Sequence, residues 1–194
     1  MFALSELLWA LIGLMLTILS TWLEAYGVGI PSETGGAVYS LDVNYQVGAV
    51  LFIGCMGGRN AAALSQIAYL MLGLVLFDRF ELPVFTEGAG LGYLRSPASG
   101  YLLGFVPAGW LCGYLAFKAK PTLERLAFSA LCGLLVVHIC GLFYLLVGYL
   151  FRLLKDPSLL TAIMKYSVDV FPGQVMVACA IALIAYGMRK ALFY

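Results

Sequence analysis

Few side chains in this sequence are placed to do chemistry. A hydrolytic or transfer reaction needs a nucleophile beside a base, a pair of carboxylates, or a set of metal ligands. The single histidine, His138, stands in LLVVHICGLF with no Asp, Glu, Lys or Arg within a turn or two on that helix. Alone in an apolar run, it reads as a neutral imidazole hydrogen-bonded inside a bundle rather than as a proton relay. The five cysteines (Cys55, Cys112, Cys132, Cys140 and Cys179) lie in apolar runs without CxxC spacing, where a thiol behaves as a small hydrophobe. GxSxG, HExxH and phosphate-loop patterns do not occur. The expectation is a protein that is not an enzyme and carries neither cofactor nor metal. Any ATP-driven work would need another protein.

What remains suits recognition. Residues 90 to 105 read GLGYLRSPASGYLLGF, a glycine-dense loop that runs into an apolar helix. Arg95 and Ser96, with the amide groups at the helix start around Pro97 and Ala98, would attract an anion such as a carboxylate. The competing reading is an interfacial arginine in a polar loop. Gln174 follows Phe171-Pro172-Gly173 at the start of the last helix. It can both donate and accept hydrogen bonds to a neutral polar ligand, or else satisfy its own helix end. Asn44 and Gln46 carry the same two readings. Tyr93, Tyr101 and Trp22 suit the membrane interface, and each is also able to pack against an apolar ligand. Gly90, Gly92 and Gly100 permit tight turns and close backbone approach.

The elements that must hold these residues are helices in lipid. Hydrophobic residues make up 63% of the chain, charged residues 11%, and mean hydropathy is +0.98. A soluble domain carries about 25% charged residues, so polar surface is too scarce here to cover a water-soluble globule. The chain therefore reads as all-α, a single polytopic transmembrane domain over residues 1–194 in the plasma membrane. The net charge of +1 and the lack of a basic run speak against nucleic acid as a partner. The N-terminus lacks a basic start and a small-residue cleavage site, so it reads as a retained first helix.

Six apolar segments can be drawn: 2–23, 43–56, 61–77, 99–117, 126–151, and one from after Phe171-Pro172 to Leu192. The second is short against the roughly 20 residues that span a bilayer. Its polar start, Asn44 and Gln46, should therefore face protein or a cavity. The connectors 56–60 and 118–122 are tight and basic, whereas 24–42, 78–98 and 152–170 are longer and richer in acids. With the short loops and both termini on one side, that side holds Arg59, Lys118, Lys120, Arg125, Arg189 and Lys190 against Glu6 and Glu124. The other side holds Arg79, Arg95, Arg152, Lys155 and Lys165 against Glu24, Glu33, Asp42, Asp78, Glu81, Glu87, Asp156 and Asp169. The basic short loops place both termini in the cytoplasm. The three long loops then gather at the outer face, where binding sites form on a rigid scaffold. No internal repeat is evident.

Four stretches resemble the BioY family, the biotin-binding membrane components of energy-coupling factor transporters. The first is Gln46 with its helix, then Gly57-Gly58-Arg59-Asn60-Ala61-Ala62-Ala63-Leu64 and Tyr69-Leu70. The second is Leu82-Pro83-Val84-Phe85. The third, Ser96-Pro97-Ala98-Ser99-Gly100-Tyr101-Leu102-Leu103-Gly104-Phe105, is the most specific, and the fourth is Pro172-Gly173. The resemblance implies six helices and biotin captured under the outer loops. It also implies work with a transmembrane coupling protein and a pair of ATPases. The family usually carries Asp directly after Pro-Gly and Lys three residues later, both facing the ligand. This chain has Gln174 and Val177 there, and Asp169 offers a carboxylate five residues earlier. In place of the small-residue face these components present to the coupling protein, the first helix has Ala10 and Gly13. Two alternatives stay open: the same fold binding another small vitamin-like solute, and a non-transporting membrane subunit of a larger complex.

Overall fold

A computed structural model describes residues 4–28, 38–76, 84–85, 90–154 and 158–193. Leu82 and Pro83 lie outside the described residues. So do Glu33, Asp78, Arg79, Glu81, Glu87, Lys155 and Asp156, all assigned above to the outer loops.

Helix α1 (Leu4–Thr21) turns its bulk outward. Leu4, Leu8, Leu11, Met15 and Leu19 are exposed, while Ala10, Gly13, Thr17, Ser20 and Thr21 are buried. In lipid, large apolar side chains gain little by turning inward, so small residues take the helix interface. The hydroxyls on that face are satisfied within the helix. Thr17 Oγ1 donates to the Gly13 carbonyl at 2.8 Å, and Thr21 Oγ1 to the Thr17 carbonyl at 2.7 Å. Ala10 and Gly13 thus pack into the protein, Gly13 against Ile53 and Ser65, and offer no small face to a partner.

The all-α expectation needs one correction. The segment read as a loop contains strands β1 (Glu24–Val28) and β2 (Val38–Asn44), paired antiparallel with a bulge between Glu24 and Tyr26. Leu41 and Val43 alternate with Ser40 and Asp42, the period-two pattern of a half-buried strand. Val43 packs with Ala25 and Val177, and Leu41 lies against that cluster. The second apolar segment therefore begins in a strand, and its helix starts only at Gln46.

Helix α2 (Gln46–Met71) continues into a π-turn at Leu72–Leu76. The loop expected at 56–60 is reduced to one break, Gly58, with φ 81° and ψ 179°. In a straight helix, residues 23 positions apart would stand about 35 Å apart at roughly 1.5 Å per residue. Yet Gln46 Nε2 is 2.7 Å from the Tyr69 hydroxyl, 23 positions on. The chain reverses at Gly58, and its two limbs lie side by side. Helix α3 (Ser99–Ala116) meets that reversal at Gly113, where an added Cβ would sit 2.4 Å from Arg59 N and 2.5 Å from Gly58 C.

Helix α4 (Leu123–Leu150) is capped by Thr122, whose Oγ1 accepts from Arg125 N at 3.3 Å. It buries Gly133, Val137, Gly141 and Leu145 and exposes Leu135, Ile139, Phe143 and Leu146. Short helix α5 (Leu159–Ile163) passes through a second π-turn (Met164–Val168) into α6 (Phe171–Phe193). Among the described residues, four helical stretches are long and apolar enough to cross a membrane: Leu4–Thr21, Gln46–Val75, Leu123–Leu150 and Leu159–Leu192. Helix α2 packs between α1 and α3, α3 packs on α4, and α6 closes against α4 and α2.

One end of the bundle is sealed by Arg189, which is buried rather than a solvated charge of a loop face. Its guanidinium donates to the carbonyls of Cys55 at 3.3 Å and Ala116 at 3.1 Å, and lies 4.1 Å from the Phe117 ring centroid. Both carbonyls belong to helix ends, before the Gly58 break and at the close of α3, where a cation offsets the helix dipole.

Candidate functional site

At the end away from Arg189, a cavity of about 150 Å³ lies among the start of α2, the start of α3, the second π-turn and α6. Asn44, Gln46, Tyr93, Tyr101 and Gln174 line it, five of the residues singled out in the sequence. Val47, Leu102, Phe105 and Val137 supply apolar wall, and Phe85, Ala98, Tyr166 and Val170 complete it.

Backbone detail explains why these residues reach one hollow. Residue 173 is Gly because a Cβ there would meet the Leu41 carbonyl at 2.8 Å and Val43 at 3.1 Å. The strand pair can therefore rest on the α6 start, with Gln174 directly behind. Gly141 on α4 leaves room for the Tyr101 ring, which lies 2.3 Å from where a Cβ would stand. Asn44 ties the cavity floor together: its Nδ2 donates to the Thr21 carbonyl at 3.3 Å, and its Oδ1 accepts from Gln46 N at 3.4 Å.

Two polar chains define what the cavity offers. On one side Gln46 Nε2 donates to the Tyr69 hydroxyl at 2.7 Å, which in turn donates to the Val84 carbonyl at 2.9 Å. Phe85 stacks edge-on to Tyr69 at 5.2 Å and lies 4.8 Å from the Tyr93 ring. Gln46 Oε1 is left without a hydrogen-bond partner among the described residues. On the other side the Tyr101 hydroxyl is 2.7 Å from Ser167 Oγ, which is 3.2 Å from His138 Nδ1. His138 Nε2 is in turn 2.9 Å from Gln174 Oε1. Gln174 Nε2 makes no hydrogen bond to a described residue. Its backbone N–H is satisfied by the Val170 carbonyl at 3.0 Å, so its side chain is not spent on its own helix end. The cavity thus meets one amide acceptor and one amide donor, both neutral, between aromatic walls.

Arg95 and Ser96 do not line the cavity. Arg95 is exposed at the end of a 3₁₀ turn, Leu91–Arg95, between the lining residues Tyr93 and Ala98. Its guanidinium has no partner among the described residues. Ser96 shapes the turn: its Oγ accepts from Ala98 N at 3.3 Å, and its carbonyl accepts from Ser99 Oγ at 2.8 Å. The Ala98 amide proposed for an anion is therefore already engaged. The Tyr144 hydroxyl donates to the Leu94 carbonyl and holds the same turn to α4. Asp169 is exposed and not among the lining residues.

Sequence reasoning missed Ser167, Tyr166 and Phe85, and it gave His138 no link to Gln174. Tyr166 and Ser167 fall in a segment read as loop. The His138–Gln174 contact joins residues 36 positions apart, beyond any local pattern. Val177 is 3% exposed and packs in the cluster with Ala25 and Val43, which explains an apolar residue at that position.

Fold and site together define a polytopic helical membrane protein with a half-polar hollow at one end, the build of a solute-handling transport component. The BioY family profile matches residues 2–193, and the chain belongs to that family. It is accordingly a transport component and not an enzyme, and a multi-pass protein of the plasma membrane. A Lysinibacillus sphaericus protein named "Probable biotin transporter BioY" is 36% identical over 105 residues, covering 53% of this chain and 50% of that one. A 21.2 kDa protein from the psbX-ycf33 intergenic region of Cyanophora paradoxa is 27% identical over 188 residues, covering 96% and 95%. Among solved structures, the S-component for biotin from an ECF-type ABC transporter has the same fold. The TM-score is 0.68 at 19% identity, covering 95% of this chain and 90% of that one.

Proposed function

We propose that this chain captures biotin at the outer face of the membrane and passes it inward, working with an energy-coupling transmembrane protein and its ATPases. The reading takes six membrane crossings with both termini cytoplasmic, the two limbs of α2 counting as separate spans on either side of Gly58. The cavity then opens outward, and Arg189 closes the cytoplasmic end. The names of the relatives support biotin as the ligand.

One observation carries the assignment: the acceptor Gln46 Oε1 and the donor Gln174 Nε2, both without a partner among the described residues, share a single cavity with aromatic walls. A ureido ring needs that pair, since its N–H groups donate and its carbonyl accepts. An Asp–Lys pair is not required for it, and two neutral amides avoid the cost of burying charge. At about 150 Å³ the hollow is smaller than the roughly 300–1,000 Å³ of sites that enclose a whole ligand. It suits the fused rings, held by Tyr93, Tyr101 and Phe85, while the carboxylate tail runs out toward Arg95. Asn44 and Ser96 act by shaping the floor and the turn.

Equilibrium titration of purified protein with biotin tests this. Saturable submicromolar binding is expected, and Gln174→Ala, losing one hydrogen bond of about 1.4 kcal/mol, should weaken it roughly tenfold. Absence of saturable binding at millimolar biotin overturns the assignment.

A further inference from the structure

His138 is the one histidine in the chain. It does not line the cavity, and the capture reading above gives it no task. Its ring nevertheless sits between two elements of that site. Nδ1 is 3.2 Å from Ser167 Oγ on the second π-turn, and Nε2 is 2.9 Å from Gln174 Oε1 on α6. The imidazole is 6% exposed and held edge-on by Tyr101 at 5.9 Å and Phe171 at 5.2 Å, so it has little freedom to turn.

The proton positions follow from the atoms that face each other. A carboxamide oxygen only accepts, so the nitrogen facing Gln174 Oε1 must carry the proton. A neutral ring protonated on Nε2 leaves Nδ1 as an acceptor, and Ser167 must then donate to it. With its one proton so used, Ser167 Oγ accepts from the Tyr101 hydroxyl at 2.7 Å. The chain is directed throughout, from Tyr101 to Ser167 to His138 to Gln174. Its last step occupies the Gln174 carbonyl and leaves the amide NH₂ for the cavity.

We infer that His138 is a positioning residue. Held as the Nε2–H tautomer, it locks the Gln174 amide with its NH₂ toward the ligand, so that this edge of the site accepts only a hydrogen-bond acceptor such as a carbonyl oxygen. A free glutamine would present either end and discriminate weakly. Rejection of a ligand that brings a donor here comes from the mismatch, since the rejected group and Gln174 Nε2 would both point protons at one another.

The test has two arms, and only the second rests on the biotin reading. With a single histidine, ¹⁵N labelling of histidine gives the tautomer directly by NMR of the detergent-solubilised chain. The Nε2–H form is expected, and the Nδ1–H form overturns the inference whatever the ligand. In the second arm, biotin is compared with 2-iminobiotin, whose protonated imine at neutral pH replaces the carbonyl acceptor with a donor. Wild type should prefer biotin by about 100-fold or more, as expected where a site is built for one hydrogen-bonding partner. His138→Phe should cut that preference at least about tenfold. His138→Gln, whose amide N–H can reach Gln174 Oε1, should keep the preference within roughly threefold of wild type. A preference unchanged in His138→Phe, or lost equally in His138→Gln, overturns the inference. Should neither compound bind wild type, the biotin assignment falls, and the tautomer alone upholds or overturns the role of His138.

Discussion

Substituting Gly113 by alanine probes the geometry on which the whole site depends, the reversal of α2 at Gly58. An added Cβ would stand 2.4 Å from Arg59 N, 2.5 Å from Gly58 C and 2.7 Å from Arg59 Cα. All three are backbone atoms, so no side chain can swing away, and α3 must back off from the turn. Overpacking of this kind costs about 1–3 kcal/mol, and immovable neighbours put this case near the upper end. Alanine returns up to about 1 kcal/mol of helix propensity over glycine, so the net loss should be about 1–2 kcal/mol. Gly187, on α6, is the matched control, because a Cβ there meets nothing within 4 Å. Gly187→Ala should gain up to about 1 kcal/mol from the same propensity. Thermal unfolding in one detergent reads both, at about 2–4 °C per kcal/mol for a chain of this size. Gly113→Ala should melt lower than wild type and Gly187→Ala equal or higher. If Gly113→Ala melts at or above wild type, α3 does not abut the Gly58 turn, and the reversal of α2 as described is wrong.

Other consequences are sharper at the site. Arg95→Gln should weaken biotin about fivefold, as loss of an exposed, salt-screened charge contact of roughly 1 kcal/mol would. Binding of biotinamide, which has no carboxylate, should not change, and parallel titrations read the difference. Val177→Lys places an ammonium in the cluster of Ala25 and Val43. Without an acidic partner it should destabilise the fold by about 2 kcal/mol or more, and pairing it with Gln174→Asp should recover part of that loss in the same melting assay. Gly141→Ala intrudes on the Tyr101 ring and should weaken biotin at least about threefold, a loss of roughly 0.6 kcal/mol. On the strand pair, the Tyr26 phenol is raised above its ordinary value by its hydrogen bond to Glu24. Its contribution is therefore present below pH 10 and fades as pH rises through the folded-state value. A tyrosinate difference spectrum of wild type against Tyr26→Phe should show that residue titrating above pH 10, and Glu24→Gln should bring it back down.

Much of the cavity was legible because polar side chains are rare in so apolar a chain. Asn44, Gln46 and Gln174 stood out at the starts of apolar runs, and Tyr93 and Tyr101 flanked a glycine-rich loop. All five line one hollow. Arg95 stood out for the same reason, yet charge alone does not say which way a long side chain turns, and it is exposed at the rim. The alternation of Leu41 and Val43 with Ser40 and Asp42 carried the second strand, but the segment was read by length and acidity as a loop. The Gly57-Gly58 pair marked the reversal of α2, whereas its sharpness depends on packing against Gly113. The joining of His138 to Gln174 could not be read at all. It depends on how α4 and α6 meet, and neither residue carries a local signal of the other.

The most direct measurement is an experimentally determined structure of the chain bound to biotin. The account predicts the ureido ring in the cavity beneath the strand pair, its N–H and carbonyl each about 2.7–3.2 Å from Gln46 Oε1 and Gln174 Nε2. The carboxylate should run outward to Arg95. Biotin bound elsewhere on the protein, or seated with both glutamines turned to other partners, would contradict it.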